Sequence, residues 1–415
     1  MAEGFARWLD RAETELAAQA EASARPTDWV LHVGSQALFT AMRQAFEQAQ
    51  HRIWVETYIL DPNGQVPELM QALNDAAQRG VEVRLLTDGF GTPQVPDEWP
   101  RQWAQSGVQW RTYKPLGPGG LWFPSRWRRL HRKLCVVDDH VAFCGGINWL
   151  DDHHDPIHLE QLAQPRFDAA VQITGPLVDK VAQVMNEVWW RLDVSSRLRQ
   201  REVSAAWAAI RLRDWRSLWR QRPPQGLRTL VLRDNVSHRS DIVRAYLAAI
   251  GRARQEVWLA NAFFMPAKRV QRALCVAAAR GVKVRLVVQG HFEYALPYRA
   301  TRHLYAPLLA AGVEIWEYHA SYLHAKVAVV DERWATVGSS NLDPLSLLLA
   351  REANVVSRHP DDVRQVRQAL AQAVLSGAKP IDQQALAQRR LWDRALDALT
   401  WWGVRLAVWV TARSY

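Results

Sequence analysis

Two stretches roughly half the chain apart spell the same pattern. Residues 130–139 read LHRKLCVVDD and residues 323–332 read LHAKVAVVDE: each has a histidine, one residue, a lysine, four residues and an aspartate. Their surroundings repeat too. AAQRGVEVRLLTD (76–88) returns as AAARGVKVRLVVQ (277–289), and RIWVETYIL (52–60) is echoed by EVWLANAFF (256–264). A repeat this long marks a duplicated domain, because solenoid units run to only tens of residues. The chain's 415 residues also exceed what one core usually serves.

Each copy runs helix, strand, helix, Arg-Gly, strand and then the His/Lys motif. Helical periodicity shows in ALFTAMRQAFEQAQ and DIVRAYLAAIGRAR; VEVRLL, VKVRLVV, KLCVVD and KVAVVD are short β-rich runs. This alternation predicts an α/β fold with largely parallel strand pairing. The expected layout is an N-terminal helix (1–28), a first half (29–190), a basic Trp-containing connector (191–228), a second half (229–380) and an amphipathic C-terminal helix (381–415). The connector ends in the helix breakers Pro223, Pro224 and Gly226.

On a strand, residues two apart share a face. His131 and Lys133 therefore point one way, as do His324 and Lys326, while the valines behind them enter the core. If the halves pack about a pseudo-two-fold axis, two imidazoles and two ammonium groups meet in one cleft. That set suits a phosphodiester. A lysine about 4 Å from a phosphate oxygen contributes about 1 kcal/mol in water and about 4 at an effective dielectric of 20. Two lysines can thus neutralise charge that other enzymes leave to a metal, and no metal or cofactor is expected. One imidazole attacks phosphorus while the other protonates the departing alcohol.

The flanking residues add to this. CGGIN (144–148) and VGSSN (337–341) hold equivalent places. There Gly145 permits close backbone approach, Asn148 and Asn341 offer amides, and Ser339 offers a hydroxyl. Asp168 in RFDAAV and Glu352 in REAN are candidates to orient an imidazole. Asp138 and Asp331 close the motif strands and are expected to hold the turn and tune the pocket, as part of the catalytic set. A single motif of this kind occurs by chance. Two copies in matched context do not.

These residues resemble the phospholipase D superfamily, named for paired His-Lys-Asp motifs, over roughly residues 29–360. The resemblance implies two pseudo-symmetric α-β-α sandwiches sharing one cleft, a metal-independent ping-pong reaction and a covalent phosphohistidine. Within the superfamily, GSSNLDPLSLLLAREANVV (338–356) and VETYILDPNGQVPELMQALNDAAQRGVEVRLLTDGFG (55–91) are similar to bacterial cardiolipin synthases. The lack of leading transmembrane helices matches their short type, type B. That implies transfer of a phosphatidyl group from one phospholipid, phosphatidylglycerol above all, to the glycerol hydroxyl of a second. It also implies His131 as nucleophile and His324 as acid–base, although the residues themselves are symmetric on this point. Phe263, in ANAFFMP, stands where the family more often has Tyr.

Superfamily members also cleave nucleic acid, so a metal-independent phosphodiesterase, either a phospholipase or a nuclease, is the alternative. A non-catalytic binding module is disfavoured by intact His and Lys in both copies. Charge and tryptophan point to lipid. The net charge of +10 suits an anionic membrane surface, and 21 tryptophans suit a place where an apolar face meets water. RLRDWRSLWRQR (211–222) and the loop KPLGPGGLWFPSRWRR (114–129) are basic and aromatic. In the tail, Trp392, Ala395, Leu396, Leu399, Trp402, Leu406, Trp409 and Val410 form an apolar stripe. Asp393, Arg394, Asp397, Trp401 and Arg405 take the other side. Such a helix can dock on the core or lie on a membrane, and its tryptophans favour the membrane.

The longest uncharged run, residues 29–42, falls short of the about 20 residues that a spanning helix needs. The N-terminus carries charges where a signal peptide would be apolar. Cys135, Cys144 and Cys275 form no disulfide framework and read as reduced thiols. The expected location is therefore peripheral, on the cytoplasmic face of a bacterial inner membrane, with nucleic acid an unlikely partner. The oligomeric state is not legible.

Overall fold

A computed structural model describes residues 29–115, 117, 127–155, 160–199, 226–292 and 295–413. The expected N-terminal helix, most of the connector and most of the 114–129 loop lie outside the described residues.

The first half runs β1 (Trp29–Val33), α1 (Ser35–Gln48), β2 (Arg52–Thr57), α2 (Val66–Gln78), β3 (Glu82–Asp88), α3 (Glu98–Ser106) and β4 (Gln109–Tyr113). It continues with β5 (Leu134–Val137), β6 (Val141–Gly145), the pair β7 (His154–Asp155) and β8 (Glu160–Gln161), β9 (Ala169–Thr174) and α4 (Leu177–Arg199). The second half opens with β10 (Arg228–Arg233), α5 (Asp241–Arg252), β11 (Glu256–Asn261), α6 (Lys268–Ala279), β12 (Lys283–Gln289), α7 (Ala295–His303), α8 (Tyr305–Ala310) and β13 (Glu314–Tyr318). Then come β14 (Lys326–Val330), β15 (Trp334–Gly338), α9 (Pro344–Leu348), β16 (Glu352–Ser357), α10 (Pro360–Gly377), β17 (Ala378–Pro380), α11 (Gln383–Ala387) and α12 (Leu391–Arg413).

The sheets are ordered β1-β9-β6-β5-β2-β3-β4 and β10-β16-β15-β14-β11-β12-β13-β17, so the second repeats the first with one added edge strand. The expected α/β class and duplicated sandwich hold. The expected parallel pairing does not. Only β2-β3-β4 and β11-β12-β13 run parallel, and the remaining neighbours in both sheets are antiparallel. The reason is connection length. Parallel strands need a crossover, which α2 and α6 supply, whereas β5–β6 and β14–β15 are joined by tight turns.

Each sheet carries helices on both faces. In α2 the buried residues Val66, Leu69, Met70, Leu73 and Ala76 recur at helical spacing and press on the outer face of the first sheet, where they join α1, α3 and the strands in one core cluster. α5 and α6 do the same in the second half. A further core belongs to both halves at once: it joins Leu134 and Val136 to Val327 and Val329, and Val181 and Met185 of α4 to Val366 and Leu370 of α10. α4 continues to Arg199, into the stretch expected as connector.

Candidate active site

The motif histidines stand just ahead of β5 and β14, and each is pinned by the other half. Leu130 forms a parallel bridge with Arg351, with His131 N–H donating to the Arg351 carbonyl at 3.0 Å and Arg351 N–H donating to that of Arg129 at 2.8 Å. The mirror image joins Phe167 to Leu323: Phe167 N–H donates to the Tyr322 carbonyl and His324 N–H to that of Phe167, both at 2.9 Å. Glu352 follows Arg351 and Asp168 follows Phe167. The next carboxylate on each partner thus falls against an imidazole.

His131 Nδ1 lies 3.0 and 3.1 Å from the two carboxylate oxygens of Glu352. His324 Nδ1 lies 2.6 Å from Asp168 Oδ2. Both carboxylates are buried, while the histidine side chains keep 14% and 18% exposure. A carboxylate at Nδ1 fixes the tautomer: Nδ1–H donates, and Nε2 is left to face a substrate. Lys133 Nζ donates to the carbonyl of His131 at 2.8 Å, and Lys326 Nζ to that of His324. Lys326 Nζ also approaches His324 Nδ1 at 2.9 Å.

Burial and nearby lysines set the protonation states. Burial lowers His131 below the usual imidazole value, with the Lys133 charge adding to it and the Glu352 carboxylate opposing it. Burial, Lys326 and Lys133 hold His324 well below that value. Burial brings Lys133 down to about 7 and lifts Asp168 to about 6. Burial pushes Glu352 the same way, but the His131 ring, Lys133 and the Ser339 hydroxyl outweigh it and keep Glu352 low. Each half's lysine shifts the other half's histidine. The four groups therefore share one electrostatic environment.

The supporting residues divide. Ser339 Oγ donates to Glu352 Oε2 at 2.5 Å and accepts the Ala353 N–H at 3.1 Å, so it fixes the carboxylate that holds His131. Its counterpart is Gly146, where a Cβ would collide with the Asp168 carboxylate. Gly145 makes room for Ala170 of the neighbouring strand, which makes it a packing glycine. Asn148 Oδ1 accepts the Ile59 N–H at 3.2 Å and holds the turn after β2. Asn341 is buried, and its Oδ1 has no hydrogen-bond partner among the described residues.

Asp138 and Asp331, expected to hold the turns after the motif strands, make the contacts of that role. Each sits in a left-handed turn, at φ 50° and 49°, and collects backbone N–H groups: Asp138 those of Gln50, His51 and Arg52, Asp331 those of Arg254, Gln255 and Glu256. At roughly 3.3 Å per strand residue, these carboxylates lie roughly 20 Å along the chain from the imidazoles. They clip the motif strand to the start of its neighbour.

Several residues escaped the sequence reading. Tyr58 stands edge-on to His131 at 4.8 Å between centroids, and Lys133 lies over its ring at 5.3 Å. Asp88, fully buried, accepts the Leu130 N–H at 2.7 Å, while Gln289 at the matching place accepts that of Leu323 at 3.3 Å. Aligning the repeats VRLLTD and VRLVVQ to their last residue would have found this pair. Arg132 makes a bidentate pair with Glu56, at 2.9 Å for both bonds, beneath the first motif. The second half carries Ala325 and Ala260 at those two places, so the pair is present or absent as a unit. Ala262 matches Tyr58, and with Phe263, Gln289, His291, Tyr298 and Thr301 it lines a pocket beside the second motif. Among the described residues, no group of three or more His, Cys, Asp or Glu side chains could hold a metal ion.

The family model described as cardiolipin synthase, PLD-like domain, matches residues 42–189 and 246–374. A cardiolipin synthase B of Salmonella typhi is 35% identical over 390 residues, covering 93% of this chain and 90% of the relative. A cardiolipin synthase B of Escherichia coli strain K12 is 35% identical over 380 residues, 91% of this chain and 88% of the relative. Among solved structures, a phosphatidylserine synthase of Haemophilus influenzae Rd KW20 superposes with a TM-score of 0.66 at 15% identity, over 94% of this chain and 96% of that one; this is a likeness of fold.

Proposed function

Because the chain belongs to the cardiolipin synthase family of phospholipase D-like enzymes, we propose that His131 is the nucleophile and His324 the acid–base of the phosphatidyl transfer this membership assigns to it. The enzyme is a phosphatidyltransferase. The observation that carries a two-histidine mechanism is the exchange of carboxylates between halves, Glu352 to His131 and Asp168 to His324, and the choice between the rings rests on how these two carboxylates differ.

In the free enzyme both imidazoles are held neutral, as a nucleophile requires. The arriving phosphodiester brings a negative charge, which favours protonation of the second ring. His131 Nε2 attacks phosphorus, the bond to the headgroup oxygen breaks, and His324 delivers a proton to that oxygen. The phosphatidyl-imidazolium on His131 is cationic. Its Nδ1–H faces a carboxylate that stays firmly ionised, whereas the Asp168 carboxyl is lifted to about 6. This difference supports His131 over His324 as the nucleophile. A glycerol hydroxyl of the second phosphatidylglycerol then gives its proton to His324 and attacks phosphorus. The P–N bond breaks, and cardiolipin leaves with His131 neutral again. Lys133 and Lys326 carry the charge of the non-bridging oxygens.

Such substrates sit in a bilayer, and our reading is peripheral attachment to an anionic membrane on its cytoplasmic face. The net charge of +10 supports it. The described residues hold no helix long and apolar enough to cross a membrane. Incubating the pure protein with labelled phosphatidylglycerol vesicles tests the reaction. Free glycerol and a four-chain lipid are expected, in excess EDTA as well. Phosphatidic acid as the only product would overturn transfer in favour of hydrolysis.

A further inference from the structure

The terminal helix α12 packs on α7, and it does so with its charged side. Asp397 is only 2% exposed and pairs with Arg299 of α7 at 3.3 Å and with Arg389 at 2.8 Å. One turn later Trp401 is buried and stacks on His303, the last residue of α7, at 5.8 Å between centroids. Val404 continues this face into the second-half core.

The opposite face looks outward. Trp392, Leu399, Trp402 and Leu406 are 77%, 68%, 63% and 61% exposed, and with exposed Ala395 they recur at alternating spacings of three and four. The charges are sorted around this stripe. Both acids, Asp393 and Asp397, fall on the docked side, while Arg394 and Arg405 fall at the border next to Trp401. An exposed stripe of this size on a folded protein marks a contact surface. Its cover must be apolar in the middle and negative at the margin, with a boundary that suits indole rings. An anionic bilayer has that profile.

We propose that α12 is an interfacial anchor: held to α7 by Asp397 and Trp401, it lays Trp392, Leu399, Trp402 and Leu406 into the outer acyl layer of an anionic membrane. The inference rests on the reading of a bilayer substrate and names the surface that meets the bilayer. α7 contributes Tyr298 and Thr301 to the pocket beside the second motif. The anchor thus stands one helix away from the groups around His324. Phe292 and Leu296, at the start of α7, are also exposed.

Vesicle flotation of the full chain, with phosphatidylglycerol mixed into phosphatidylcholine, tests this. The wild-type protein is expected to float. A Leu399→Glu, Trp402→Glu double variant is expected to lose partitioning by roughly ten-fold or more. It should keep its melting temperature and its turnover of monomeric short-chain phosphatidylglycerol. Undiminished flotation of the double variant overturns the anchor. A dimer of the wild type that the double variant splits, seen by light scattering, also overturns it, because the stripe would then belong to a second copy of the chain. Failure of the wild type on the short-chain substrate would count against the catalytic reading instead, so the two failures are distinct.

Discussion

Neither histidine is completed by its own half, and this makes the protonation of single residues decisive. Lys133, brought down to about 7 by burial, is an ammonium below that pH and a neutral amine above it. The free enzyme therefore loses one of the two lysine charges proposed to bind phosphate as pH rises through about 7. We expect kcat/KM, which reports the free enzyme, to fall along a limb near that pH. The limb in kcat should lie higher, because bound phosphate favours the ammonium. Lys133→Arg should abolish the limb, since a guanidinium stays charged, and a pH–rate profile of that variant checks it. The two His/Lys motifs were legible because the chain states them twice. The assignment of Glu352 to His131 and Asp168 to His324 was not, because the partners are 221 and 156 residues apart and only the cross-half bridges bring them together.

At the scale of elements, sequence pattern fixed which segments are helix and strand better than it fixed their direction and rotation. The tight turns at Asp138 and Asp331 reverse the chain and make most of each sheet antiparallel, which apolar runs alone do not reveal. The aspartates illustrate the same limit. Their place at the end of each motif strand suggested a turn-holding role, and their three backbone contacts each name the partners of that clip. Asp138→Ala is therefore expected to cost about 1–3 kcal/mol of stability through lost N–H partners, with kcat of the folded enzyme unchanged. Denaturant unfolding beside steady-state kinetics checks both halves of that statement. For α12, periodicity found the outward residues Trp392, Ala395, Leu399, Trp402 and Leu406, with Leu396 half-buried and the side chains of Trp409 and Val410 outside the described residues. It could not say that the polar side turns inward, because Arg299 and Arg389, which hold Asp397, lie on other segments.

For the whole molecule, the shared core makes the duplication more than two tethered domains. Val136 and Val329 belong to one cluster, and α4 and α10 both contribute to it, so neither half can bury its inner face alone. A single calorimetric transition is expected on heating, despite the length of the chain, and two resolved transitions would show that the halves melt independently. The halves have nonetheless diverged: a buried Arg132–Glu56 pair supports one motif and two alanines support the other. The crossed carboxylates carry a consequence for heredity. Damage at Glu352 is felt by a ring encoded 221 codons away, so compensating mutations that restore activity should map near codon 131 as readily as near the lesion. Each lobe is thereby bound to inherit the other's history.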